Sequence, residues 1–378
     1  MAAPSALVVG GTGPTGPHVV NGLCRRGYEV VILHTGNHEV DTIPAGLEHI
    51  HTDPFDAGAL ADALGDRTFD VAAIMYGRLR EQAKLYAGRV GKLVSVGGVP
   101  VYRGYGTPRD LSPPGLRVPT REDAPKAGAE NLKVARIVET EAAVFEHHPT
   151  ASHFRYPLIY GPGQLIPREW MVVRRVLDGR RHMILPDSGL MLRTGAFAEN
   201  AAHALLLAID HPDASAGQAY NVSDEWTPTL RQVVEIICEA LGHEMEIVGL
   251  PFELATPGHP MMMLNDPYHR MTPVDKAFHQ LGYRDVAPCP EALAYTARWL
   301  VQHPVERGGR TERGLLQDPF DYEAEDHLLA AWRRAGAELA PFAAAADPEF
   351  VDRYAPDYEE RRAARRAARA ARSAEPPA

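Results

Sequence analysis

The sequence predicts an α/β chain: a doubly wound parallel sheet with a smaller C-terminal lobe. Three observations carry that expectation. An apolar run ending in glycines, ALVVGG at 6–11, leads into a segment of helical apolar spacing, HVVNGLCRRG at 18–27, and then a second β-rich run, YEVVILHT at 28–35. Strand, glycine turn, helix and strand within about 30 residues make a βαβ unit. The alternation of short apolar runs and helix-spaced segments then continues as far as residue 98, the pattern of a parallel sheet covered on both faces. The chain has 378 residues, 45% of them hydrophobic and 23% charged, enough to bury a full core in one large domain or two smaller ones.

The elements follow in order. LEHIHTD (47–53) reads as a strand, AGALADAL (57–64) as a helix and FDVAAIMY (69–76) as a strand. RLREQAKLYAG is the next helix and KLVSVGG (92–98) a buried strand. A Pro/Gly-rich loop at 106–125 interrupts the alternation before a helix around Lys133 and a strand at 151–161, ASHFRYPLIYG. Helices at 168–179, 229–242 and 290–302 belong to the lobe. These spans give a dinucleotide-type domain over 1–165, with 190–225 returning to it, and a substrate lobe from 166–189 and 226–305. An extension, partly helical, covers 306–360, and the Arg/Ala-rich tail at 361–378 lacks an apolar face and reads as disordered. Within the extension, Leu328, Leu329 and Trp332 are spaced as one face of an amphipathic helix, which either packs back on the body or forms a homodimer contact.

Charge and cysteine usage exclude some classes. A net charge of −10 disfavours nucleic acid and anionic membrane surfaces as partners. Cys24, Cys238 and Cys289 are far apart and odd in number, so a disulfide framework is not expected and a reducing cytoplasm fits. The N-terminus has no basic segment before its apolar run, and no apolar stretch reaches about 18 residues, so neither a signal peptide nor a membrane span is expected.

Gly10, Gly13 and Gly16, with Thr15 in the same turn, stand between the first strand and the first helix. Glycines there permit a tight turn and a close approach of backbone to a pyrophosphate, whose charge meets the helix N-terminus. A Rossmann-type nucleotide site is the reading. The second strand ends in VILHTGNH, placing His34 and Thr35 where an acid would accept from the ribose hydroxyls of NAD. With no acid there, NADP is preferred over NAD, held through His34, Thr35 or Asn37, with Arg25 and Arg26 further off. Asp53, after the third strand, either meets the adenine amino group or caps the helix starting near Phe55.

Several motifs occur in a telling order: GGTGPTG, LVSVGGVPVYRG (93–104), FRYPLIYGPGQ (154–164), RTGAFAENAAHALLLAIDHP (193–212), GQAYNVSDEWTPTLRQVVEII (217–237) and VDKAFHQLGYR (274–284). Over roughly residues 5–303 the chain resembles the extended short-chain dehydrogenase/reductase family, the NAD-dependent epimerase/dehydratase group. The resemblance implies a bound nicotinamide dinucleotide, a small substrate lobe, and an acid/base set of Tyr, Lys and Ser. In that set the Lys cation lowers the Tyr pKa and holds the cofactor ribose. Lys133 matches the Lys; Ala129 stands at the Tyr position and Gly98 at the Ser position, with Ser95 earlier on the strand, and Ser95, Gly98 and Tyr105 are expected to line the substrate. Lys133 therefore clamps the ribose, acts as proton donor itself, or is solvated. Tyr102, Tyr76 and Tyr105 are candidate replacement acids, and Tyr160 belongs to the YGPG signature at the cofactor.

On the substrate side, Arg193 fits the position of a diphosphate-binding Arg, while the late patch has Arg270 without the Gly-Asp that follows it in the family, and Glu199-Asn200 replaces an Asp pair. Trp170 reads as a stacking surface or a core aromatic, and Met261, Met262 and Met263 as an apolar pocket or as packing. Together these expect an oxidoreductase or epimerase-like enzyme for a small, apolar or aromatic carbonyl or hydroxyl compound. The alternatives are a catalytically degenerate dinucleotide sensor and a non-redox lyase or isomerase. The histidines, among them His34, His49 and His51, show no HExxH or similar ligand spacing, so no metal site is expected.

Overall fold

The structure, a computed structural model, describes residues 3–128, 132–262, 264–346 and 352–374. Its first elements are β1 (Ser5–Val9), α1 (Gly16–Arg25), β2 (Glu29–His34), β3 (Glu48–His51), α2 (Ala57–Leu64), β4 (Phe69–Ile74), α3 (Leu79–Tyr86) and β5 (Val90–Gly98). After the long loop come α4 (Leu132–His147), β6 (Ser152–Tyr156), β7 (Leu158–Tyr160), α5 (Trp170–Leu177), β8 (His182–Pro186), β9 (Gly195–Phe197), α6 (Ala198–Asp210) and β10 (Gln218–Asn221). The remaining elements are α7 (Leu230–Ala240), β11 (Glu246–Leu250), α8 (Asp275–Leu281), α9 (Cys289–Gln302), α10 (Tyr322–Ala345) and α11 (Tyr358–Ala374).

Seven parallel strands form the central sheet in the order β10-β6-β5-β4-β1-β2-β3. Alternate residues of each strand point to opposite faces. Ala6, Val8, Val30 and Ile32 join one core with Val20 and Leu23 of α1 and Leu205 of α6. Leu7, Val9, Val31 and Leu33 join the other with Leu60 of α2, Ala83 of α3 and Val144 of α4. Both faces are covered, so the strands read as continuous apolar runs rather than alternating ones. Strand order reverses at β1, between β4 and β2, and the crevice that binds ligands in such sheets opens at the carboxyl ends of those strands.

The sequence-expected elements form with two differences. The single strand expected over 151–161 is split at Pro157 into β6, in the main sheet, and β7, which pairs with β9. A proline has no N–H for a ladder, so the chain leaves the sheet there. Of the tail expected to be disordered, residues 361–374 lie in α11, consistent with the helix propensity of Ala and Arg and with the Arg361–Asp357 and Arg362–Glu359 ion pairs, and 375–378 lie outside the described residues. The chain divides into two compact units, one ending at Phe320 and the other starting at Asp321. No helix among the described residues is long and apolar enough to cross a membrane.

Candidate functional site

The glycine turn lies in the crevice. Gly10 has φ +89 and its N–H donates to the Leu33 carbonyl at 3.0 Å; a Cβ there would lie 2.6 Å from the Cβ of Tyr76. A Cβ on Gly16 would lie 2.3 Å from the Gly11 backbone, so strand and helix approach as only glycine allows. A Cβ on Gly13 would meet nothing nearer than the Gly10 carbonyl at 3.9 Å, so that side of the turn is open. Helix α1 starts at Gly16 with Pro17 in its first turn and no acidic side chain beside its N-terminal amides. The phenol of Tyr156, buried and with its pKa raised by that burial, lies beside Thr15 without a hydrogen bond of good geometry. An open anion cradle beside an unsatisfied hydroxyl fits the diphosphate and ribose of a dinucleotide.

On the adenosine side, His34 is buried at the end of β2 and Thr35 is exposed beyond it. Arg26 is bound by Asp210 through Nε at 2.7 Å, which takes it away from any phosphate. Asp53 does not cap α2. Its Oδ1 accepts from Phe55 N at 2.9 Å, and Asp56 is the cap, accepting from Gly58 N and Ala59 N at 2.9 and 3.1 Å. Phe55 and Tyr76, which sequence reading did not pair, meet edge to face with centroids 5.1 Å apart and remain about half exposed. Tyr76 thus stands beside the first glycine, at the cofactor turn.

The region that should hold the acid/base groups is built otherwise. Ser95, proposed as a substrate contact, is fully buried, its Oγ 2.8 Å from His153 Nδ1. His153 Nε2 lies 3.7 Å from Glu141 on α4. A Cβ on Gly97 would sit 2.4 Å from His153 Nε2, so the imidazole fills the space that a side chain would take. A Cβ on Gly98 would lie 3.1 Å from Pro100 Cδ, a tight contact, and 3.8 Å from the Tyr156 carbonyl. Glu141 accepts from Arg155 at 2.9 and 2.8 Å and pairs with Lys126 at 2.6 Å. Burial alone would raise its pKa; the Arg155, His153 and Lys126 partners win and hold it at about 2. Burial pushes His153 down to about 4.

Tyr102 belongs to the same network and is not a free acid. Its hydroxyl donates to Asn221 Oδ1 at 2.5 Å and accepts from Arg155 Nη1 at 2.8 Å, and burial raises its pKa to about 12. Tyr105 is also buried, its ring under the Arg270 guanidinium and its pKa raised by burial to about 12. Lys133 is exposed in the first turn of α4. Ala129, at the expected Tyr position, lies outside the described residues.

Two further expected contacts prove to be packing. Tyr160 donates to Asp224 Oδ2 at 2.6 Å, inside a buried hub where Asn200 also binds Asp224, and so does not face a cofactor. Trp170 is fully buried on α5, its Nε1 donating to Glu312 at 2.8 Å, which leaves no face for stacking. Met261 and Met262 are buried as well, and Met263 lies outside the described residues. Arg270 is held by Asp266 at 2.9 and 2.6 Å. Arg193 remains a binding candidate: largely but not fully buried, it donates to the Met261 carbonyl at 3.1 Å, and burial lowers its pKa. Arg168 is pushed down to about 10, by burial and then by the charge of Arg193, and the two guanidiniums donate to the neighbouring carbonyls of Pro260 and Met261.

One group was missed because its members are not neighbours in sequence. His34, His49 and His51, with Glu39, place one ligand-type atom each within 4.8 Å of one another. The usable signal was His-x-His on a strand beside a parallel strand ending in His; the register pairs His34 with His51.

No family model and no curated protein matches the chain. Solved structures do. An epimerase from the methanogen Methanothermobacter thermautotrophicus superposes with TM-score 0.62 at 16% identity, covering 80% of this chain and 93% of that one. This chain has the epimerase/dehydratase fold. A UDP-glucose 4-epimerase from Thermotoga maritima, solved with UDP-glucose, gives TM-score 0.63 at 17% identity, covering 79% and 99%. A dTDP-glucose 4,6-dehydratase from Bacillus anthracis, solved with NAD, gives 0.60 at 17%, covering 80% and 98%. The epimerase/dehydratase fold accounts for the seven-stranded sheet and places the glycine turn at its switch point.

Proposed function

We propose that the protein is a nicotinamide-dinucleotide-dependent oxidoreductase of the epimerase/dehydratase type, with altered acid/base groups, acting on a small carbonyl or hydroxyl compound. The observation that carries the reading is the glycine turn: Gly10 and Gly16 tolerate no side chain, and Gly13 leaves the cradle open. The turn amides and the α1 N-terminus would hold the diphosphate, Phe55 and Tyr76 would flank the adenosine, and Lys133 the nicotinamide ribose. The cofactor, when bound, supplies hydride transfer. The substrate face is assigned to the backbone at Gly98 and to Arg193, a cation that shares the buried carboxylate Glu169 with Arg168. The apolar residues that argued for an aromatic substrate, Trp170, Met261 and Met262, are buried.

With Ser95, Tyr102 and Tyr105 enclosed, Lys133 and Tyr76 are left as exposed candidates, and with Tyr76 beside the first glycine the delivery of a proton at a substrate oxygen is assigned to Lys133. Addition of NAD(H) or NADP(H) to the pure protein should raise its melting temperature; no shift with any of the four forms refutes the reading. Lys133→Met is expected to lower kcat by about a hundredfold, the scale of one general acid, with little change in melting temperature. A second reading, a dinucleotide-binding sensor without turnover, is favoured by the glycines at 97 and 98. It is distinguished by a bound reduced-nicotinamide absorbance that no carbonyl compound bleaches.

A further inference from the structure

The outer end of the sheet holds a second set of chemistry-bearing side chains, independent of the cofactor reading. β2 and β3 run parallel, with His34 opposite His51 and Ile32 opposite His49. Residues two apart on a strand share a face, so His34, His49 and His51 project together from the α1 side, where Ile32 packs on Val20. The loop after β2 turns back at Gly36, at φ +76, where a Cβ would lie 3.2 Å from the His51 ring, and brings Glu39 over the three imidazoles.

The separations are those of a ligand set. His34 Nε2 is 2.9 Å from His49 Nδ1 and 3.5 Å from Glu39 Oε1. Glu39 Oε2 is 3.6 Å from His49 Nδ1, and Glu39 Oε1 is 3.3 Å from His51 Nε2. Four N or O ligands at about 2.0–2.1 Å around a tetrahedral ion stand about 3.3–3.4 Å apart. The rings meet edge to face with centroids 4.8–6.1 Å apart, so no two of them stack, and one ligand-type atom from each residue lies within 4.8 Å of the others. His34 anchors the floor at 5% side-chain exposure, while Glu39 and His51, at 53% and 54%, leave an entry path from solvent. A carboxylate at the centre of the three rings disfavours an anion such as a ribose phosphate and favours a cation.

We propose that His34, Glu39, His49 and His51 bind one divalent transition-metal ion of the zinc class. Imidazole and carboxylate donors suit zinc and its first-row neighbours rather than calcium or magnesium. The ion would tie the β2–β3 edge to the loop at 35–39, on the side of the sheet where the nucleotide turn lies.

The test uses tag-free, full-length protein, stripped with a chelator and free of nucleotide, so its failure leaves the cofactor reading untouched. Zinc chloride is titrated against a chromophoric chelator, and cobalt(II) is used as a spectroscopic probe. The expected result is one equivalent of zinc bound, the intense visible bands of four-coordinate cobalt(II), and a rise in melting temperature. His49→Gln with His51→Gln, and separately Glu39→Gln, should weaken zinc binding by about a hundredfold or more. His211→Gln, on a distant exposed histidine, should leave it unchanged. Circular dichroism of each variant guards against misfolding, and Glu39→Gln is the milder change. Absence of stoichiometric zinc binding, or binding that all variants retain, overturns the proposal; so does a weak, six-coordinate cobalt spectrum.

Discussion

A methyl group on Gly16 would overlap the backbone of Gly11, so Gly16→Ala must push α1 away from the turn. Dinucleotide affinity is expected to fall at least tenfold, about 1.4 kcal/mol, read as loss of the ligand-induced melting shift at fixed nucleotide concentration. Tyr102→Phe probes the opposite kind of residue. It strips a partner from both Asn221 Oδ1 and Arg155 Nη1, which should cost about 1–3 kcal/mol of stability and leave turnover within a few-fold. A collapse of turnover with an unchanged melting temperature would return Tyr102 to the reaction. Sequence motifs located both residues but could not separate them. A glycine announces its role by lacking a side chain, whereas a tyrosine after β5 is an acid or a strut according to what its hydroxyl meets.

Helix α4 shows what element-level reading captures and loses. The sequence marks it through Lys133, on its exposed first turn. The residue that holds it to the sheet is Glu141, 1% exposed, with Arg155 and His153 of β6 and Lys126 of the preceding loop around it. Glu141→Gln leaves Arg155 buried without its counter-charge, and removal of one partner of a buried pair typically costs about 3–5 kcal/mol. Equilibrium denaturation should show that loss as a lower midpoint with an unchanged slope. A loss below 1 kcal/mol would mean that the network is solvated. The strand expected over 151–161 carried no hint that one helix acid pairs with both His153 and Arg155.

For the whole molecule, the same network sets an acid limit. His153 titrates at about 4 when folded, against an ordinary 6.5, so the unfolded chain takes up that proton first and stability falls as pH drops from 6.5 towards 4. Glu141 titrates at about 2 when folded, against 4.5, and its contribution is present above 4.5 and lost as pH falls towards 2. The two windows adjoin. Denaturation midpoints should therefore decline steadily below pH 6.5, and His153→Gln should flatten the upper part of the curve. The division at Phe320 predicts that a chain ending there keeps its nucleotide-induced melting shift, since the glycine turn, the crevice and Lys133 all precede it.

The sequence by itself determined the doubly wound sheet, the glycine turn and most helices, because these depend on local periodicity and on glycine's missing Cβ. Only the tertiary structure decided that Tyr102 and Ser95 are enclosed, that Tyr160 and Trp170 are struts, and that His34, His49 and His51 converge with Glu39. Those outcomes depend on which side chains the strand register and the helix packing bring within a few ångströms, and spacing along the chain does not fix that register or packing.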